Sequence, residues 1–315
     1  MTFVESWQTA SSRLFRPIHP NRGIANVMPA LFAYSGIRIP DSPPLFKEEV
    51  LGRIGSLEIR LASKAKHVRW AQKLRYNVFY DEMSASPNPV TYFSKRDIDL
   101  YDAICDHLMV VDLSLPSHGN RKSKVVGTYR LLRQSAARSH GGFYTEREFD
   151  VAKLLDRHSN LKFLELGRSC VLPAYRDKRT VELLWHGIWT YVVRHKIDAM
   201  IGCASFEGTN PDKLALPLSF LHHHARAPED WRVRAVANRY VEMNRLPKKS
   251  LDMKAAMRAL PPLIKGYLRI GAFVGHGAVI DRQFGTTDVF IGLPVAAINQ
   301  RYLNHFGPGA ERYAV

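Results

Sequence analysis

The sequence of 315 residues contains three cysteines, and they stand far apart. Cys105, Cys170 and Cys203 form neither a disulfide framework nor a CxxC pair that could bind a metal. So small and odd a number of cysteines favours a reducing compartment over a secreted, disulfide-bonded protein.

Long hydrophobic runs are also absent. No stretch approaches the roughly 18–20 apolar residues that cross a membrane as a helix. The first residues lack the basic-then-apolar pattern of a secretory signal. The sequence therefore predicts a cytoplasmic protein, with any membrane association confined to the surface.

Acidic side chains are scarce relative to basic ones. The chain has 45 Lys and Arg against 29 Asp and Glu, a net charge of +16. A field of that sign attracts nucleic acid, anionic membranes or acidic proteins. No nucleic-acid-binding motif is present, and aromatic residues that could stack on bases are not interleaved with the basic runs. The motifs therefore do not favour nucleic acid, and charge alone does not distinguish an anionic membrane from an acidic protein.

Several common enzyme signatures are missing. There is no GxSxG elbow, no GxGxxG after a strand, no Walker loop and no HExxH. His222, His223 and His224 are adjacent, but successive residues on a helix diverge by roughly 100°, so the three cannot easily share one ion. The sequence therefore predicts no metal site.

The spacing of apolar residues predicts a mixed α/β chain with a largely antiparallel start and a late helical crossover. Strands are predicted over residues 57–61, 107–113, 124–133, 161–172, 199–204 and 287–293. Helices are predicted over residues 64–83, 180–195, 212–224, 262–269 and 295–305. Three parts follow from this pattern: an irregular basic N-terminal arm (1–55), a core (56–210) and a C-terminal extension packed on the core (211–315).

Glu165 lies in the middle of the strand predicted over residues 161–172. A carboxylate surrounded by apolar sequence is costly unless it is paired or used. Gly167 is a natural position for a β-bulge, which would turn Arg168 inward and free backbone N–H groups. The residues alone leave open a functional carboxylate and a structural ion pair. Cys170, near Arg168, is either an activated thiolate or, as its apolar strand favours, a buried cysteine.

A second concentration of charge precedes the strand predicted over residues 107–113. Four aspartates fall within ten residues of each other: Asp97, Asp99, Asp102 and Asp106. Arg75 and Arg130 lie in a predicted helix and a predicted strand, where an unpaired cation would be expensive. With Arg168 they predict one network of arginines and carboxylates, which could also receive an ammonium group. A solvated acidic turn is the alternative.

Four of these segments together resemble a known pattern. In chain order they are residues 74–79 (LRYNVF), Asp99 with Asp102, residues 126–132 (VGTYRLL) and residues 165–168 (ELGR). This order resembles the acyl-homoserine-lactone synthase branch of the GCN5-related N-acyltransferase (GNAT) superfamily.

The C-terminal part is similar to a different branch of the superfamily. Residues 261–269 (PPLIKGYLR), 277–281 (GAVID) and 284–289 (FGTTDV) resemble the bacterial L-ornithine Nα-acyltransferases of ornithine-lipid synthesis. The resemblance covers roughly residues 57–306.

The resemblance implies a GNAT fold, a mixed and mostly antiparallel twisted sheet flanked by helices, with a C-terminal extension. Such sheets are splayed at the fourth strand, here residues 161–172, and the pantetheine of the acyl donor lies in the split. The following loop, residues 173–179, lacks the glycines of a pyrophosphate loop. This favours the phosphopantetheine of an acidic acyl carrier protein over coenzyme A, and no tightly bound cofactor is implied.

The reaction implied by the resemblance is transfer of a 3-hydroxyacyl group from acyl carrier protein to the α-amine of L-ornithine. The product would be lyso-ornithine lipid, in the first step of ornithine lipid biosynthesis. On matching positions Glu165 is the general base and Arg168 the second catalytic residue. The implied substrate-binding residues are Arg75, Phe79, Asp99, Asp102 and Arg130. The implied acyl- and pantetheine-binding residues are Ser169, Cys170, Val171, Leu172, Arg176, Lys178 and Arg179.

The expected partners are acyl carrier protein, L-ornithine and an anionic inner-membrane surface, with the protein cytoplasmic and peripherally associated with that membrane. Two enzymatic alternatives remain: a lactone synthase that uses S-adenosylmethionine as acceptor, and an N-acyltransferase for another amino acid such as glycine or lysine. A non-enzymatic basic protein that binds membrane or nucleic acid is the third alternative.

Overall fold

The computed structural model describes residues 49–115, 124–307 and 309–314. The predicted basic arm therefore lies outside the described residues except for its last part. The strands within the described residues are β1 (Val50–Ile54), β2 (Leu57–Leu61), β3 (Asp106–Asp112), β4 (Val125–Arg133), β5 (Phe163–Val171), β6 (Ala199–Glu207), β7 (Tyr240–Val241), β8 (Phe273–Asp281) and β9 (Thr286–Pro294). They form one sheet in the order β1-β2-β3-β4-β5-β6-β9-β8-β7. Every neighbouring pair is antiparallel except β5 and β6, which confirms the predicted mixed, mostly antiparallel sheet.

Helices flank this sheet. They are α1 (Ala65–Tyr76), α2 (Pro89–Ser94), α3 (Gln134–Ser139), α4 (Ala152–Arg157), α5 (Lys178–His195), α6 (Ala215–His224), α7 (Met253–Ala259), α8 (Pro262–Arg269) and α9 (Gln300–Phe306). α1 continues into a π-helical turn, Asn77–Glu82. Within the described parts of the chain, no helix is both long enough and apolar enough to cross a bilayer.

The two faces of the sheet are covered by different helices. α5 connects the parallel strands β5 and β6 and packs across β1, β2 and β3, whereas α1 packs against β3, β4 and β5. Alternation along β3 separates the two layers. Leu108 and Val110 belong to the apolar cluster that contains α5, and Met109 and Val111 belong to the one that contains α1.

Most predicted elements are observed, and the exceptions have local causes. β8 was not predicted because Gly277, at φ +86°, interrupts its alternation and the pairing with β9 shifts register there. The prediction of a single helix over residues 295–305 is wrong. Val295–Ala297 is a short 3₁₀ turn, and α9 begins separately because the Asn299 side chain accepts a hydrogen bond from the N–H of Arg301.

The sheet is split between β5 and β6. The two strands pair at three positions, the last of which joins Glu165 to Ile201, and they diverge beyond it. Gly202 lies at the branch point, where a Cβ atom would come within 2.4 Å of the carbonyl oxygen of Leu166. The resemblance placed this splay at the fourth strand, residues 161–172. The splay is observed in the strand so predicted. That strand is β5 here, because β1 precedes the first predicted strand.

Candidate active site

The diverging strands leave a cavity of about 460 Å³ between them. Residues 165–171 of β5 line one wall, and residues 203–205 of β6 line the other. Apolar side chains from both layers complete the enclosure, including Phe79 from the π-helical turn and Tyr267 from α8. The cavity therefore lies in the split where the resemblance placed the acyl donor.

Arg168 occupies a β-bulge in β5. Pairs with β4 join Thr128 to Cys170 and then Arg130 to Gly167, so one residue of β4 faces two of β5. Arg168 has φ +51°, a left-handed conformation that is uncommon outside glycine and costs about 1–3 kcal/mol. The predicted bulge is thus observed, and it brings Arg168 to the same cavity as Glu165.

Three arginines and three aspartates form a closed ring of ion pairs beside the cavity. Each arginine bridges two aspartates, at N···O distances from 2.6 to 3.3 Å. Positive and negative groups alternate around the ring, so its charges cancel. Its members, in order, are Asp97, Arg75, Asp102, Arg130, Asp99 and Arg168.

The ion pairs favour the charged forms of Asp99 and Asp102 within this largely buried ring. Burial alone would raise the pKa of Asp102, but Arg75 and Arg130 outweigh it and hold that pKa below its usual range. The pKa of Asp99 is lowered against burial in the same way, by Arg130 and then Arg168. A charged group so deeply buried persists only because each charge has two partners.

The ring faces the cavity on one side only. Arg130 and Arg168 line the cavity, whereas Arg75, Asp99 and Asp102 lie behind them. Asp106 is not in the ring, because its carboxylate accepts a hydrogen bond of 2.6 Å from the hydroxyl of Tyr191 on α5. The structure therefore brings together the three predicted arginines and both predicted substrate-binding aspartates, Asp99 and Asp102. It also places Asp97, another acid of the predicted network, in the ring.

Glu165 is held on the cavity wall by a neighbouring turn. Its carboxylate accepts hydrogen bonds from the backbone N–H of Tyr144 at 2.9 Å, from that of Thr145 at 2.6 Å, and from the hydroxyl of Thr145. These groups begin the 3₁₀ turn Tyr144–Arg147. Burial raises the pKa of Glu165, and the hydrogen bonds offset this only in part. The result is an oriented carboxylate that is more basic than usual.

The loop between β5 and α5 carries the predicted phosphate-binding side chains. Arg176 lines the cavity, donates to the carbonyl oxygen of Val171 at 3.0 Å and forms a bidentate pair with Glu82. Lys178 and Arg179 are exposed and lie outside the lining, as does Leu172. The other predicted acyl- and pantetheine-binding residues, Ser169, Cys170 and Val171, line the cavity.

Comparison with known proteins identifies the family. The family described as Acetyltransferase (GNAT) domain matches residues 74–186. A Rhizobium meliloti (strain 1021) protein named L-ornithine N(alpha)-acyltransferase is 53% identical over 266 residues, which cover 84% of this chain and 89% of the relative. One of the same name from Brucella abortus (strain 2308) is 51% identical over 284 residues, 90% of this chain and 97% of the relative. The chain belongs to the L-ornithine Nα-acyltransferase family. Among solved structures, the AHL synthase LasI is 13% identical and covers 82% of this chain and 96% of its own, at a TM-score of 0.41.

Membership of the L-ornithine Nα-acyltransferase family makes the protein an acyltransferase with a GNAT fold. This excludes the non-enzymatic alternative. The cavity in the split is the candidate site for that reaction, because an acyl group and an acceptor must meet in one place.

Cys170 is a buried cysteine, and its surroundings do not favour the thiolate that a nucleophile requires. Burial raises the pKa of its thiol to about 12, and only the thiolate reacts readily. We expect Cys170→Ala to retain most of the wild-type acyl-transfer rate. Steady-state kinetics checks this, and loss of all activity in a folded variant would indicate a covalent acyl-cysteine route instead.

The sequence interpretation missed three carboxylates at the same cavity. Asp281 and Asp288 line it, and Glu148 lies against them, with carboxylate oxygens of the three within 4.8 Å of one another. A signal was present: Asp288 directly precedes the apolar run of β9, within a strand that is buried up to Pro294. The missing information was non-local, since the Asp281–Asp288 hairpin and the Glu148 turn come from distant parts of the chain.

The rings of the adjacent histidines His222 and His223 are not oriented towards one common metal position. The rings of His222 and His223 stand at 88° to each other, and His223 Nε2 lies 3.1 Å from the carbonyl oxygen of Leu246. The carboxylate cluster of Glu148, Asp281 and Asp288 has a geometry that could also hold a metal ion. The sequence-based expectation of no metal site stays a prediction.

Proposed function

We propose that the protein transfers a 3-hydroxyacyl group from acyl carrier protein to the α-amine of L-ornithine and so forms lyso-ornithine lipid, in the first step of ornithine lipid biosynthesis. The observation that carries the proposal is the oriented carboxylate of Glu165 on the wall of a cavity in the β5–β6 split. The acceptor is taken from relatives at 51–53% identity, which are named for it.

The chemistry begins with removal of a proton from the acceptor. An α-ammonium has a pKa near 8 and cannot attack until it is neutral. Glu165, directly or through one water, takes that proton, and its raised pKa suits it to the task. The amine nitrogen then attacks the thioester carbon, and the C–S bond breaks as the intermediate collapses. The attacking nitrogen gives up a further proton and the departing thiolate takes up a proton, which leaves an amide and a free thiol. No enzyme nucleophile is required, because the amine attacks the thioester directly.

The open edge of β5 supplies donors for the tetrahedral oxyanion. Along an edge strand, successive N–H groups point to alternate sides. The N–H of Leu172 bonds to Val126 on the β4 side, so that of Val171 points towards the split. We assign to the oxyanion this N–H and that of Ser169, which lies in the bulge where the ladder with β4 is interrupted. Preorganised donors of this kind stabilise developing charge.

The arginine–aspartate ring presents one side to the acceptor. Arg168 lines the cavity, and both of its ion pairs are long, at 3.2 and 3.3 Å. We assign to Arg168 the carboxylate of the amino acid, with Arg130 beside it. Arg75, Asp99 and Asp102 act behind them as positioning residues. Phe79, which lies edge-on to Phe284 at a centroid distance of 5.7 Å, borders the acyl thioester.

The donor enters past Arg176, whose guanidinium is fixed at the cavity by Glu82. Lys178 and Arg179 extend into solvent from the first turn of α5, where they would meet the phosphate of phosphopantetheine and the acidic body of the carrier. The N–H of Thr180 is already taken by the Asp177 side chain at 2.9 Å. Side chains therefore carry more of the phosphate recognition here than the helix N-terminus does.

A charge reversal at this entrance is expected to discriminate between donors. The double variant Lys178→Glu, Arg179→Glu should raise KM for acyl carrier protein roughly tenfold and leave the reaction with a small acyl-pantetheine thioester unchanged. The matched control Arg138→Glu, Lys153→Glu alters the charge equally on exposed side chains outside the cavity. Equal KM values for acyl carrier protein in the two double variants would show that the carrier does not bind at Lys178 and Arg179.

The basic surface also suits a membrane partner, since the product is amphiphilic. We propose peripheral association with the anionic inner-membrane surface from the cytoplasmic side, driven by the net charge of +16. Such binding weakens as salt increases.

The function is tested with purified protein, 3-hydroxyacyl carrier protein and a panel of acceptors. Ornithine should be acylated, whereas glycine, lysine and S-adenosylmethionine should react much more slowly. Preference for S-adenosylmethionine would support the lactone-synthase alternative, and preference for another amino acid would replace the acceptor. Faster transfer from acyl-coenzyme A than from the carrier would overturn the donor assignment.

A further inference from the structure

Glu148, Asp281 and Asp288 form a carboxylate cluster on the wall of the cavity. The three residues are 2%, 9% and 7% exposed. Strand register explains how two of them meet: Asp281 pairs with Thr286 across the β8–β9 hairpin, and Asp288 lies two residues further on the same face of β9. Glu148 directly follows the 3₁₀ turn that holds Glu165.

The cluster contains more negative charge than the described residues neutralise. Arg239 contacts Glu148 at 3.2 Å and is the one cation within ion-pairing distance of the three carboxylates in the described part of the chain. The Oδ1 atom of Asp281 accepts hydrogen bonds from the backbone N–H groups of Gln283 and Phe284, at 2.7 and 3.0 Å. One oxygen of Glu148 and one of Asp288 are buried and, among the described residues, have no hydrogen-bond partner.

Buried carboxylate oxygens without partners are costly, and a cation would relieve that cost. Burial raises the pKa of Asp288, and burial together with the charge of Asp288 raises the pKa of Glu148. Asp281 and Asp288 line the cavity, so the cation would arrive from the same space that Glu165 and Arg168 face.

We propose that Asp288 and Asp281, with Glu148 behind them, bind the side-chain ammonium of the diamino acid acceptor and so determine its identity. This inference rests on the proposed function, because it takes the acceptor to be ornithine. Asp99 and Asp102 are less suited to this role: Asp102 is bonded by Arg75 and Arg130, and Asp99 by Arg130 and Arg168.

The carboxylate cluster lies close to Glu165, with Cys203 as a shared neighbour. The Sγ atom of Cys203 is 3.8 Å from Oγ1 of Thr145, and that hydroxyl donates to Glu165. Burial and then the charges of Glu148, Asp288 and Glu165 raise the pKa of the Cys203 thiol, so all three carboxylates lie near it. The two nitrogens of extended ornithine are about 6 Å apart by standard bond lengths. We therefore place the ammonium at Asp288 and the α-amine at Glu165, on either side of Cys203.

Asp288→Asn tests this assignment, because it removes the charge and keeps the shape. KM for ornithine should rise about 30-fold or more, the usual effect of losing a buried charge-assisted contact. Transfer to norvaline, which has the same carbon chain without the ammonium, should not change. Asp288→Glu lengthens the side chain by one methylene and should shift preference towards the shorter 2,4-diaminobutyrate. The control Asp156→Asn removes an exposed carboxylate outside the cavity and should resemble wild type.

The other outcomes contradict the assignment in distinguishable ways. An equal loss of activity with ornithine and norvaline in Asp288→Asn would show that the role of Asp288 is structural. An unchanged KM for ornithine in Asp288→Asn, with no shift in acceptor preference in Asp288→Glu, would show that Asp288 does not contact the acceptor. Calorimetric titration with Mg²⁺ or Mn²⁺ alone should show no site that Asp288→Asn abolishes, since such a site would make the cluster a metal centre. Failure of the proposed function would instead appear in wild type, as no transfer to ornithine at all.

Discussion

Replacing Glu165 by glutamine is expected to slow acyl transfer by about 10²- to 10⁴-fold, the usual contribution of a positioned general base. The variant should stay folded. Glutamine keeps one acceptor oxygen for Thr145 but presents an NH₂ group to the N–H of Tyr144, at a cost of about 1–3 kcal/mol in stability. Single-turnover kinetics with saturating donor and acceptor measures the chemical step.

The pH dependence separates a base from a merely structural carboxylate. Glu165 must be deprotonated before it can take the proton of the α-ammonium, so the wild-type rate should rise with pH through the ionisation of Glu165. A second rise should follow through the ionisation of the α-amine, as the fraction of acceptor that is already neutral grows. Because the pKa of Glu165 is raised, the lower ionisation should lie above the usual range for glutamate. In Glu165→Gln this lower step should disappear, leaving the step of the amine.

A neighbouring carboxylate provides the matched control. Glu146 also caps the 3₁₀ turn, accepting from the N–H of Phe143 at 2.9 Å, but does not line the cavity. Glu146→Gln should therefore react at nearly the wild-type rate with both ionisations intact. A near wild-type single-turnover rate for Glu165→Gln would remove Glu165 as the base.

The largest effect on stability is expected from Arg75→Gln. Arg75 is fully buried and bridges Asp97 and Asp102 at 2.8 Å. Its removal leaves two buried carboxylates with too little positive charge, which typically costs about 3–5 kcal/mol. Urea denaturation followed by circular dichroism measures the change in stability. KM for the acceptor should also rise, because Asp97 is no longer held by Arg75 and so no longer fixes the position of Arg168.

An exposed ion pair serves as the reference. Arg194 forms a bidentate pair with Glu49 at 2.5 and 2.7 Å, with both side chains about one third exposed. Arg194→Gln should cost less than about 1 kcal/mol, as surface pairs usually do. If the two variants lost equal stability, the ring could not be the buried, mutually dependent network that its geometry indicates.

Sequence reasoning located Glu165 and Arg168 at the candidate site because one argument applied repeatedly. Charged residues in apolar segments, Glu165 and Arg130 above all, had to be paired or used, and Gly167 indicated the bulge that turns Arg168 inward. These inferences depend on a few neighbouring residues. The matching of four such segments to one family pattern then supplied their arrangement.

The remainder depends on contacts between distant segments. Asp97 and Asp106 look alike in sequence, yet Asp97 joins the ring and Asp106 faces Tyr191 on α5. Asp288 meets Glu148 only because β9 pairs with β6 and β8 at a particular register. A one-residue change of register would turn Asp288 to the other face of the sheet, and local pattern does not specify that register.

Mass spectrometry of lipids from cells that express the protein tests the central claim most directly. The host should lack ornithine lipids of its own and supply its acyl carrier proteins as the donor pool. Wild type should produce a 3-hydroxyacyl ornithine acylated on the α-nitrogen, and Glu165→Gln, expressed at the same level, should not. A lipid acylated on the side-chain nitrogen, an equal peak in both strains, or no N-acyl ornithine from wild type would contradict the account.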